Sequence, residues 1–196
     1  MKASFIKRVL AYFMDVMFVT LVAGLIATGF TSSKYEESYK QYEDLTEKYV
    51  NGEITIEEYT KQYGPIAYDM EKSSMPVSIV TVVLSIAYFI VFQYLNKGQT
   101  IAKKLLKLRV VEKDKAPSLK AIIIRTSLID SILTGVLGLV LLTVLNKNNY
   151  FVGKEIIYWL EVIFVFVTAM FILYRKDKKG LHDIIAHTEV IDERGR

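Results

Sequence analysis

Apolar residues fall into four blocks along the 196-residue chain, at about 5–30, 76–95, 121–145 and 156–174. A bilayer-spanning helix needs ~20 mostly apolar residues, within a range of ~17–25, and each block is long enough. The pattern predicts an all-α membrane protein with four transmembrane helices. The first block outruns the ~7–15 residues of a signal-peptide core. Asp15 interrupts it and three further spans follow, so it reads as an uncleaved helix.

The polar segments have patterns of their own. Within 31–75, Tyr35, Tyr39, Tyr42 and Tyr49 recur at helical spacing, as do Tyr59 and Tyr63. Asn51-Gly52 is a turn signal, and Thr55 opens a T-x-E-E helix start. These signals predict a helical hairpin over about 33–50 and 55–72. Its Tyr stripe either packs within the hairpin and at the membrane interface or offers a docking surface. Pro76 suits the first turn of the second span. After that span, Gly98 breaks the helix. Ile101, Leu105, Leu106 and Leu108 set against Lys103, Lys104 and Lys107 predict a basic amphipathic turn lying in the headgroup region, followed by a strand at Arg109–Val111. The chain after the fourth span repeats this plan with Gly180, a short amphipathic turn and Glu189–Ile191. The two halves thus form a loose internal repeat, and the two short strands are expected to pair as a ribbon.

Charge sets the orientation. Residues 96–120 carry eight Lys/Arg against two acids, and 175–196 carry six against five. Residues 31–75 carry five Lys against ten acids. Lys and Arg concentrate in cytoplasmic loops, which places both termini and 96–120 inside and the hairpin outside. Topology therefore accounts for the net charge of +4 without a nucleic-acid partner. The basic inner segments are expected to attract anionic lipid headgroups. The chain has no Cys, so no disulfide framework arises.

The charges inside the spans are the candidate chemistry, because a charge in a membrane helix persists mainly where it pairs, faces water or moves ions. Arg8 and Asp15 lie seven residues apart, and Arg125 and Asp130 five apart. Neither spacing permits a tight pair within one helix, so partners on other helices are implied. Asp15 and Asp130 are expected at similar depth, with Arg8 and Arg125 at the cytoplasmic rim of one cluster. Such a cluster suits either proton-linked transport or a structural ion-pair network. Glu161 is expected in the outer leaflet, outlining a polar path with the two aspartates or reaching the outer surface. Ser127, Ser131, Gly135 and Gly138, and separately Ser78, Thr81, Ser85 and Tyr88, read as packing faces. His182 and His187 lack zinc-site spacing, so no metal is expected. No phosphate loop, nucleophile elbow or hydrolase constellation is present, and neither enzyme activity nor a cofactor is expected.

Four landmarks in order resemble the bacterial RDD family, named for one Arg and two Asp. They are FIKRVLAYFMD, GQTIAKKLLKLRVV, IIIRTSLID and KKGLHDIIAHTEVI. The resemblance covers most of the chain apart from 31–75 and implies one membrane domain over 1–196, in the bacterial cytoplasmic membrane. It maps the family Arg and first Asp onto Arg8 and Asp15. The second Asp falls on Asp130, with Asp183 the other typical position. Gly98, Gln99, Thr100, Lys103, Gly180, His182 and Asp183 belong to the cytoplasmic landmarks. Ala102 replaces a usual second Gly, and the outer insertion is unusually long. The resemblance implies exchange of Na⁺ or a similar monovalent cation for protons. Four spans are few for a carrier, so a homo-oligomer is expected. The alternative is a non-transporting adaptor or assembly module working through the outer hairpin or the basic inner segments.

Overall fold

The computed structural model describes residues 1–30 and 32–195. Thr31, the first residue of the expected insertion, and Arg196 lie outside the described residues. Among the described residues, three helices are long and apolar enough to cross a membrane, and a fourth span arises if one bent pair is counted as one.

Helix α1 (Phe5–Ala27) is apolar all round, yet buries only Ala11, Asp15, Val19 and Ala23. These recur every fourth residue and form one narrow stripe, half of it alanine. Ile6, Leu10, Phe13, Met17 and Leu21 are exposed on its other faces, as expected of a helix whose solvent is lipid. Helices α2 (Ser33–Val50) and α3 (Ile56–Ser73) form the expected hairpin. Gly52 takes a positive φ at the turn, and Thr55 with Glu58 forms a complete capping box. Ring pairs Tyr42–Tyr63 and Tyr49–Tyr59 join the two helices, and Tyr63 packs edge-on against Phe151.

Helix α4 (Met75–Leu95) opens with Pro76 and widens into a π-helical stretch at Ile86–Phe92. The widened turn buries Tyr88, Phe89 and Ile90. A short helix, α5 (Ile101–Leu105), and strand β1 (Leu108–Val111) follow. The expected span at 121–145 is broken: α6 (Leu119–Ile129) and α7 (Ile132–Val144) meet at 66° across Asp130 and Ser131. Ser131 has φ 55°, so the chain turns through a left-handed residue. The last span begins earlier than the expected 156. Helix α8 (Lys147–Tyr174) is capped by Asn146 and is 28 residues long. Its polar first turns are held by the hairpin, where Lys147 pairs with Asp69, and Tyr150 and Lys154 both bond Glu71.

Helix α9 (Leu181–Ile185) and strand β2 (Glu189–Asp192) close the chain. β1 and β2 pair antiparallel, with Val110 opposite Val190. The amino terminus extends this ribbon through Ala3 N–H to Val190 O at 3.0 Å and Asp192 N–H to Met1 O at 2.7 Å. The repeat reaches the backbone. Lys97 and Lys107 flank α5 with positive φ, and Lys178 and His187 flank α9 in the same way. Within these two segments equivalent positions are about eighty residues apart, so Thr100 corresponds to Gly180 and Lys103 to Asp183.

Candidate functional site

Asp15 is only 1% exposed and fully engaged. Its Oδ1 accepts from the Tyr88 hydroxyl at 2.5 Å and from Ala102 N–H at 3.1 Å. Its Oδ2 accepts from the Thr100 hydroxyl at 2.5 Å. Asp15 therefore holds the first turn of α5, whose N–H groups have no partner within so short a helix. Asp15 lies ten residues past the start of α1, about 15 Å along its axis. The first turn of the basic segment is fastened to α1 at this point, with Ala102 and Lys103 buried. Ile101, Lys104, Leu105 and Lys107 are exposed. Burial pushes the Lys103 ammonium down from its ordinary range, with Asp130, Asp15 and Asp183 working against that. Its Nζ donates to Gln93 Oε1 at 3.3 Å.

Arg8 and Arg125 were expected beside Asp15 and Asp130, but both turn to Asp183. Arg8 Nη1 meets Asp183 Oδ2 at 3.0 Å, and Arg125 Nε meets Oδ1 at 3.0 Å. The same carboxylate accepts from Gly180 N–H at 3.2 Å and from the Thr188 hydroxyl at 3.3 Å. Burial works to raise the Asp183 carboxyl, but the two guanidiniums outweigh it and hold it well below the usual carboxylate range. Arg125 Nη2 lies 3.2 Å from His182 Nε2. A guanidinium only donates, so Nε2 is the acceptor and Nδ1 carries the imidazole proton. Burial lowers His182 to about 3, which keeps that ring neutral. His187, by contrast, is exposed.

Gly98 is set by geometry. Its φ is 93°, and a Cβ there would collide with the Val110 carbonyl. Gln99 Nε2 donates to Leu108 O at 2.8 Å and so fastens α5 to β1. Gly180 has the matching role, because a Cβ there would stand 2.7 Å from His182 Cε1 and 3.0 Å from Thr168 Cγ2.

Asp130 is different from the other two aspartates. Its carboxylate makes no hydrogen bond or ion pair among the described residues, and its Oδ2 is buried. It lines a cavity of 310 Å³ with Arg8, Asp15, Lys103, Thr168 and His182. The next residue, Ser131, lines a second cavity of 390 Å³ that runs past Thr134, Thr81 and Ser78 to Tyr150 near the hairpin. Glu161 lines the same cavity and accepts from the Ser131 hydroxyl at 2.5 Å. Fourteen residues of α8 precede Glu161, so it sits mid-helix, not at the outer end. Gly135 belongs to a packing face, since a Cβ there would lie 3.0 Å from Val82.

Tyr88, Gln93 and Thr168 are the site residues that sequence reasoning missed. Tyr88 was visible only as part of a packing face, and Gln93 and Thr168 carried no signal beyond being polar in apolar runs.

Helices apolar on every face, a broken span and buried charges between helices define a polytopic α-helical membrane protein. The RDD family model matches residues 2–187, and the chain belongs to the RDD family. No curated protein and no solved structure matches it.

Proposed function

We propose that the protein exchanges a monovalent cation for a proton on the Asp130 carboxylate. The observation that carries this reading is that Asp130, half-buried at a break in a membrane helix and with its Oδ2 fully enclosed, has no hydrogen bond or ion pair among the described residues. A buried carboxylate without a partner is costly unless it works. The internal repeat explains why it is free. Asp15 holds the first turn of α5, but Asp183 caps α9 itself and leaves Asp130, the counterpart of Asp15, with nothing to hold. Broken helices at cavities are a recurring way of presenting an ion site in carriers. Two cavities reach adjacent residues, Asp130 and Ser131, from different sides of the break.

In this reading Asp15 and Asp183 are structural, and the Ser131–Glu161 bond separates the two cavities. The basic end lies in the cytoplasm of a bacterial cell, against anionic headgroups, and the hairpin lies outside the plasma membrane. An adaptor acting through the hairpin is less well supported, because Tyr42, Tyr59 and Tyr63 pack among themselves and against Phe151.

The test is proton release. Na⁺, K⁺ or Li⁺ is added to purified protein in weakly buffered detergent containing a pH dye. Release of a proton by wild type and none by Asp130→Asn is expected. Equal release by both would contradict the assignment.

A further inference from the structure

Five buried side-chain polar atoms lack a hydrogen-bond partner among the described residues, and four belong to residues lining the 310 Å³ cavity. Those four are Arg8 Nε, Thr168 Oγ1, His182 Nδ1 and Asp130 Oδ2. Buried polar groups are normally satisfied, so this concentration marks a place where something polar is received. The first three are donors. His182 and Thr168 stand side by side, each within about 3 Å of the same point above Gly180. Asp130 lies deeper, five residues beyond Arg125 on α6, which is about 7.5 Å along the axis.

Local charge points the same way. Arg8 and Arg125 share the single carboxylate of Asp183, so positive charge is concentrated at the donor wall, although Lys103, Asp15 and Asp130 elsewhere in the lining bring the cavity as a whole to balance. The remaining wall is apolar, with Val9 and Phe13 from α1 and Val165, Ala169 and Ile172 from α8. Phe13 is 59% exposed and Val165 40% exposed on the outer face of the bundle, so the cavity opens sideways through a lipid-facing surface. At 310 Å³ it is far larger than a bare ion and matches the low end of small-molecule sites.

We infer that this cavity binds an amphiphile with an anionic head. A carboxylate or phosphate meets Arg8 Nε, His182 Nδ1–H and the Thr168 hydroxyl, and the apolar body lies between α1 and α8. The inference goes beyond cation exchange and stands whether or not a cation is exchanged.

The experiment uses the full chain, purified in a non-ionic detergent, with thermal unfolding read against added dodecanoate, dodecyl phosphate, dodecanol or acetate. Dodecanoate or dodecyl phosphate is expected to raise Tm, and dodecanol and acetate are not. Thr168→Val keeps the side-chain shape and removes an unpartnered hydroxyl, so the ligand-free protein should keep its Tm. Its apparent affinity for the anionic amphiphile should fall about tenfold, the loss expected for one charge-assisted hydrogen bond. Ala169→Phe fills the apolar wall and should abolish the shift. In native mass spectra after reconstitution with phosphatidylglycerol, one retained lipid that dodecanoate displaces assigns the head to a lipid phosphate. Dodecanoate bound with no lipid retained assigns it to a free carboxylate. Equal stabilisation by dodecanol, or unchanged binding in both variants, would overturn the site.

Discussion

Arg8 Nη1 lies 3.0 Å from Asp183 Oδ2 and ties the first helix of the chain to the last. Arg125 holds the other oxygen, so three segments far apart in sequence converge on one carboxylate that is 0% exposed. Removing that carboxylate leaves two buried guanidiniums facing each other. Asp183→Asn should cost about 3–5 kcal/mol, the range for breaking a buried pair. A lower Tm and loss of the monodisperse chromatographic peak would register it.

The same cluster sets an acid limit. His182 is lowered to about 3 by burial, against an ordinary value of ~6.5. Below pH ~6.5 the unfolded chain therefore takes up a proton that the folded ring refuses, and stability falls by about 1.4 kcal/mol per pH unit. The contribution of Asp183 has a lower window. Its folded value is depressed, so that stability is complete above ~4 and lost as pH falls further. Thermal unfolding between pH 7 and pH 3 checks both. His182→Gln should flatten the upper part of the curve, and a slope unchanged by it would remove His182 from the account.

Asp15 receives three donors, and the variants should grade accordingly. Tyr88→Phe removes one hydrogen bond to a charged group, worth about 1.5–3 kcal/mol. It leaves Thr100 and Ala102 in place. Asp15→Leu removes the carboxylate and strands all three donors, so it should be the more damaging. Comparison of detergent-solubilised Tm values tests the order, and an unchanged Tm in Tyr88→Phe would mean that Tyr88 is idle.

Gly98→Ala combines a forbidden backbone with a collision at Val110 O. Left-handed geometry alone costs a residue with Cβ roughly 1–2 kcal/mol. The collision adds to it and pushes α5 away from β1. Proteolysis within 96–107 should accelerate in this variant.

Local signals were legible in the sequence, and convergent ones were not. The hairpin followed from the Tyr spacing, Asn51-Gly52 and Thr55, all read within a few residues. The ribbon followed from two valine-rich runs placed alike after the two Gly breaks. The break at Asp130–Ser131 carries neither Gly nor Pro, so nothing local marked it. The early start of α8 was hidden because its first turns are polar, and they are polar because Asp69 and Glu71 of α3 bind them. The partner of Arg8 lies 175 residues away, where no periodicity reaches. Asp183 was visible as a landmark residue, but its place between two guanidiniums comes only from the packing of α9 against α6.

The central claim is a division of labour: Asp130 exchanges ions, while Asp15 and Asp183 hold the fold. The most direct measurement is cation-driven proton flux in liposomes containing a trapped pH dye, with wild type and Asp130→Asn reconstituted at equal density. The account predicts Na⁺-, K⁺- or Li⁺-dependent flux in wild type and none in Asp130→Asn, with the variant retaining wild-type Tm. Undiminished flux in Asp130→Asn, or no flux from well-folded wild type, would contradict it.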